Sequence, residues 1–97
     1  MASTKEYRDY VLEQLNLLDG ITCKPMMGEY LLYYNGMLFG GIYDDRLLVK
    51  KTETNKKYKM KECIPYENAK PMYFVDDVDN EEILKDIILD TYMGLKG

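Results

Sequence analysis

No histidine occurs anywhere in these 97 residues. That absence removes the commonest general base, the Ser–His and Cys–His nucleophile pairs and the usual transition-metal ligand. Cysteine is scarce: Cys23 and Cys63 lie forty positions apart, with no C-x-x-C and no second ligand pair. Such spacing speaks against a zinc site, and a cytosolic setting against a structural disulfide. Both are read as free thiols, mostly buried. A reactive thiol needs a basic neighbour, and only Cys63 has lysines close by, Lys59 and Lys61. Long apolar runs are missing too. The main uncharged run, Tyr30 to Tyr43, is 14 residues broken by Asn35-Gly36, short of the roughly 20 that a membrane span needs. The N-terminus, Met1 to Arg8, has no apolar h-region, so no signal peptide, a cytoplasmic location and no membrane partner are expected. Positive charge is in deficit, 13 Lys and Arg against 17 Asp and Glu for a net −4. That argues against affinity for nucleic acid spread over the whole surface.

What is present is ordinary for one globular domain spanning residues 1–97: 46% hydrophobic and 31% charged. A chain of this length buries somewhat over about 60% of its unfolded surface. The spacing predicts a helix over Thr4 to Leu18. Ser3 and Glu6 form a capping box, in which each side chain satisfies a backbone N–H of the first turn. Tyr7, Val11, Leu15 and Leu18 make one apolar stripe, widened by Tyr10 and Leu17. Asp19-Gly20 ends it, with Gly20 suited to a left-handed cap.

From Ile21 to Lys51 the periodicity is that of strands. Asn35-Gly36 is the strongest short hairpin signal, because a type I′ turn needs positive φ at both central residues. The implied register pairs Tyr34 with Met37, Leu32 with Phe39 and Tyr30 with Gly41. Asp44-Asp45 turns the chain again into Arg46 to Lys50, and Ile21 to Met27, interrupted by Pro25, is a further strand at an edge. On this register one face is aliphatic (Leu31, Leu38, Gly40, Ile42, Leu47, Val49) and is assigned to the helices, with Gly40 permitting close helix approach. The other carries Tyr30, Tyr34, Phe39 and Tyr43 beside Arg46 and Lys50. Those six are the candidate interaction surface, since Tyr and Arg are typical interface anchors. The alternatives are that residues 52–71 fold over this face, or that a second subunit covers it as a symmetric homodimer.

Lys50, Lys51, Lys56, Lys57, Lys59 and Lys61 stand against a single Glu53. They are read as a solvated loop or short helix, or else as a contact for phosphate or an acidic partner. Asp76 to Glu82 lacks the glycine and distal glutamate of an EF-hand loop, and caps a closing helix whose Ile83, Leu84, Ile87, Ile88 and Tyr92 repeat at helical spacing to about Met93. Met72 to Val75 is a short strand before it. The composite is α+β: an antiparallel sheet of about four to five strands with N-terminal and C-terminal helices packed against it.

The segment Lys24-Pro25-Met26-Met27-Gly28-Glu29-Tyr30 resembles the Met-Phe-Gly signature region of the TfoX N-terminal domain family. Gly36 and Phe39 of the hairpin, Asp45, Leu48-Val49-Lys50, and Pro71-Met72-Tyr73 before an acidic turn and a terminal helix are similar as well. The resemblance covers nearly the whole chain and implies a stand-alone N-terminal domain. It stops short of the second, helical domain that the full-length regulators carry. It departs from the signature where Met27 or Gly28 stands in place of Phe. Its matching positions are Met27, Gly28, Phe39, Lys50 and Tyr73. The family is tied to bacterial DNA-transformation competence regulators, which implies a non-enzymatic module without cofactor or metal, acting on transcription through a protein partner. Binding of nucleic acid or a phosphorylated ligand by the Tyr/Arg/Lys face is the alternative.

Overall fold

The computed structural model describes residues 3–97. Helix α1 (Lys5–Gln14) is followed by β1 (Ile21–Met26), β2 (Glu29–Tyr34), β3 (Met37–Ile42) and β4 (Leu47–Val49). A 3₁₀ turn (Lys56–Tyr58), β5 (Lys61–Cys63), β6 (Met72–Phe74) and α2 (Glu81–Lys96) complete the chain. All strands pair antiparallel in one sheet of order β1-β2-β3-β4-β6-β5. The sheet thus has six strands, not four to five, because three residues of the basic connection become the edge strand β5. At the opposite edge lies β1 with its proline, where a missing N–H costs no ladder bond.

Local chemistry sets the ends of the elements. Thr4, not Ser3, caps α1: its hydroxyl accepts from the Tyr7 N–H at 3.1 Å. The expected Ser3–Glu6 box is absent because the Ser3 side chain is taken by the sheet. The helix stops at Gln14, earlier than Leu18, and Gly20 with φ +91° turns the chain into β1 instead of closing the helix. Val11 and Leu15 are buried, Tyr7 and Leu18 pack at the margin, and Tyr10 and Leu17 are exposed. Asn80 caps α2 through the Ile83 N–H, with Glu81 and Glu82 in the first turn, where carboxylates favour the dipole. This helix runs past Met93 to Lys96.

All three hairpins, β1–β2, β2–β3 and β3–β4, use two-residue turns with positive φ at both central residues. Met27 and Gly28 have φ of 50° and 85°, Asn35 and Gly36 have 50° and 83°, and Asp44 and Asp45 have 54° and 56°. The β3–β4 turn places two non-glycine residues in the left-handed region, and hydrogen bonds from outside the turn hold them there. The Glu29 carboxylate accepts from the Asp44 N–H at 3.2 Å, and the Ser3 hydroxyl accepts from the Asp45 N–H at 3.0 Å. In return the Asp45 carboxylate accepts from the Thr4 N–H at 2.8 Å, and Glu29 from the Ser3 hydroxyl at 2.7 Å. The start of the chain is thereby tied to the β3–β4 turn.

A β-bulge in the first hairpin changes the assignment of faces. Tyr34 pairs with Met37 and Tyr33 with Leu38, but Leu32 then opposes Gly40, not Phe39, and Tyr30 opposes Ile42. Phe39 is the extra residue, so the alternation beyond it is out of step with a regular ladder. Tyr30, Leu32, Tyr34 and Phe39 consequently share the core face with Ile42, Leu47, Val49 and Tyr73. Val11 and Leu15 of α1 and Leu84, Ile87 and Ile88 of α2 cover that face. Leu31 and Leu38, expected beneath the helices, lie on the other side. Gly40 is needed by a strand and not by a helix: a Cβ there would stand 2.8 Å from the Val49 Cα.

Candidate functional site

The six residues expected to form one interaction surface are divided between the two faces. Phe39 is fully buried. Tyr34 meets α2 edge-on against Tyr92, with ring centroids 4.8 Å apart, and Tyr30 lies under the Arg8 guanidinium at 5.2 Å. These three belong to the helix layer. Tyr43 and Lys50 lie on the opposite face. Arg46 donates to the Tyr43 carbonyl at 3.1 Å and to the Cys63 sulfur. Both cysteines are free and half-buried, and burial pushes the Cys23 thiol up. Of the family-motif positions, Tyr73 is buried in the core and Met27 and Gly28 form the exposed β1–β2 turn.

The face away from the helices carries a cleft of about 790 Å³, within the roughly 300–1,000 Å³ usual for ligand sites. Met26, Leu31, Leu38 and Gly40 supply its strand side. The connection between β5 and β6 supplies a wall, with Pro65, Tyr66, Ala69 and Pro71. Tyr43 lines it too, its ring 6.1 Å from that of Tyr66. Burial pushes the Tyr43 hydroxyl up, with Tyr66, Glu29 and Tyr33 adding to the effect, so it stays a protonated donor. Three cations, Lys50, Lys51 and Lys70, complete the lining, which includes no Asp, Glu or Cys. The bulge builds this site, because it sends Leu31 and Leu38 to this side while their expected strand-mates enter the core. Sequence reasoning placed only Tyr43 and Lys50 of these residues on a binding face. The signal it passed over is Ile64-Pro65-Tyr66, an apolar stretch inside an otherwise polar connection.

The basic stretch does not form a patch. Lys51 pairs with Glu62 at 3.1 Å, Lys56 with Glu53 at 3.0 Å and Lys57 with Asp90 at 3.1 Å. Its first half binds α2, not the free face. Asn55 is buried, accepting from the Thr52 N–H at 2.9 Å and donating to the Lys50 carbonyl at 2.8 Å and the Thr91 hydroxyl at 2.9 Å. Tyr58 donates to the Asp90 carboxylate. The second half, 64–71, forms the wall of the cleft. One half of the connection that was expected to cover the free face therefore does so.

Fold and site together define a small two-layer α+β domain with a Lys- and Tyr-lined cleft on the sheet face opposite its helices. Among the described residues no helix is long and apolar enough to cross a membrane. The chain belongs to the TfoX N-terminal domain family, whose model matches residues 13–88. It is also similar to an uncharacterized 12.7 kDa protein from the trpE 5′ region of Spirochaeta aurantia. The two are 31% identical over 83 residues, covering 84% of this chain and 72% of that protein.

Proposed function

We propose that this domain is a non-enzymatic regulatory module, like the competence regulators its family is tied to, and that it acts on transcription through a protein partner held at the cleft face. The composition of the cleft carries the reading. Aliphatic side chains, two tyrosines and lysines suit recognition, and the lining holds no histidine, carboxylate or cysteine. Direct nucleic-acid binding is the weaker reading. Three lysines of the basic stretch are neutralised by carboxylates, and Tyr43 is too buried to stack a base.

The test is affinity capture from a nuclease-treated lysate of the native host, comparing wild type with a Met26→Ser, Tyr66→Ala variant. Both side chains are exposed at the cleft, so the variant is expected to stay folded. The reading expects a transcription regulator or polymerase component that survives nuclease and is lost in the variant. Recovery that disappears with nuclease would move the function to nucleic acid.

A further inference from the structure

We propose that the cleft accepts an extended segment of the protein partner in which bulky apolar side chains stand next to carboxylates. This rests on the protein-contact reading above and adds the chemistry of the segment. Charge complementarity is the first ground. The chain carries 17 acidic residues, yet none lines the cleft, whereas Lys50, Lys51 and Lys70 do. Glu62 already engages Lys51. Half-buried Lys50 and exposed Lys70 form no ion pair among the described residues. Both ammonium groups are therefore open to an incoming carboxylate, with no internal acid competing for them.

Met27 is the second ground. It is 97% exposed at the tip of the β1–β2 turn, whose geometry sets its φ of 50°. It directly follows Met26 of the cleft, and a fully solvated side chain contributes nothing to the core. A flexible thioether in that position is suited to an apolar partner surface. Tyr66, 60% exposed, is a second anchor at the wall. Because Met27 lies outside the lining but directly follows Met26 within it, a length of chain that runs past the cleft can reach both, whereas a small carboxylate confined to the cavity cannot.

The test is fluorescence anisotropy of three labelled synthetic peptides of equal length with the full chain. The first alternates Leu and Phe with Asp and Glu, the second has Lys in place of the acids, and the third spaces the acids with Gly and Ser. The first should bind at least about tenfold more tightly than the others, and should weaken as salt rises. A Lys50→Glu, Lys70→Glu variant should lose that preference. Met27→Asn should weaken binding while raising Tm, since Asn tolerates the left-handed backbone, which separates lost contact from lost fold. Equal binding of the basic peptide, an unchanged preference in the charge-reversed variant, or saturation by decanoate with no peptide bound would overturn the proposal. If the acidic peptide fails while the captured partner still depends on Met26 and Tyr66, the protein-contact reading stands and the charge assignment falls. If nothing survives nuclease, both fall.

Discussion

Asn55 hydrogen-bonds through both ends of its amide from a position closed to solvent, joining Thr52, Lys50 and Thr91. A sequence offers no sign of this. Asn in a lysine-rich loop is the commonplace solvated residue, and only the arrival of α2 beside the loop buries it. Removing the amide leaves the Lys50 carbonyl and the Thr52 N–H without their partner, so Asn55→Ala is expected to cost about 2–4 kcal/mol in urea unfolding, from lost bonds and unpaired buried groups. Asn55→Asp should be at least as damaging at neutral pH, because a carboxylate cannot donate to the carbonyl or to Thr91. A loss below about 0.5 kcal/mol, within the range of ordinary surface changes, would mean the loop is not fixed to the helix. Ser3 and Glu29 are a similar case. Their hydrogen bonds to the Asp44-Asp45 turn explain how two non-glycine residues occupy left-handed backbone, and neither was legible as a turn partner from its neighbours in sequence.

Between elements, the close approach of α2 to the 52–55 loop decides the sign of a substitution that helix propensity alone gets wrong. Gly94 lies inside α2, where replacement by Ala ordinarily gains about 1 kcal/mol. Here an added Cβ would stand 2.6 Å from the Thr52 Cβ. Overpacking of that kind costs about 1–3 kcal/mol, which cancels or outweighs the gain, so Gly94→Ala should be destabilising by up to about 2 kcal/mol in the same unfolding assay. A gain would show that loop and helix separate easily. The strands teach a related lesson. Asn35-Gly36 correctly announced the hairpin and its first pair, Tyr34 with Met37. The bulge two pairs further on was illegible, because Leu31, Leu32, Leu38 and Phe39 are all apolar and the pattern favours neither register. One extra residue therefore exchanged half of each face.

Across the whole molecule, the Tyr58–Asp90 contact joins the 3₁₀ turn to α2 and makes stability depend on pH at both extremes. Burial pushes the Asp90 carboxyl up, but the hydrogen bond from Tyr58 together with the bond and charge of Lys57 outweighs it, leaving the group below its ordinary value. Burial, the bond to Asp90 and the charges of Asp90 and Asp86 all push the Tyr58 hydroxyl above its ordinary 10.0. A lowered carboxyl stabilises the fold above its unfolded pKa and loses that contribution as pH falls below about 4. A raised phenol stabilises below its unfolded pKa and loses the contribution as pH rises above about 10. The stability difference between wild type and Tyr58→Phe should therefore be greatest between about pH 4 and pH 10 and shrink beyond either end. A difference that does not change with pH would remove the charged partner from the account. At this scale, too, the helices cover one face of the sheet, and residues 64–71 wall the cleft on the other.

The sequence by itself determined the order of the two helices and of every strand except β5, the primed turn at Asn35-Gly36 and the turn at Asp44-Asp45, the edge placement of the Pro25 strand, the cap and stripe of α2, and the family. Each of these is written within a few residues of chain, as a turn dipeptide, a 3.6-residue period, a proline or an ordered motif. Tertiary structure alone decided which side of each strand is inside, that Lys61–Cys63 becomes an edge strand, that Asn55 and Thr91 are buried together, and that Leu31, Leu38, Lys50 and Tyr66 line one cleft. Those outcomes depend on a single bulge and on where a 22-residue connection between β4 and β6 comes to rest. Both are settled by packing between residues far apart in the chain, where local pattern carries no information.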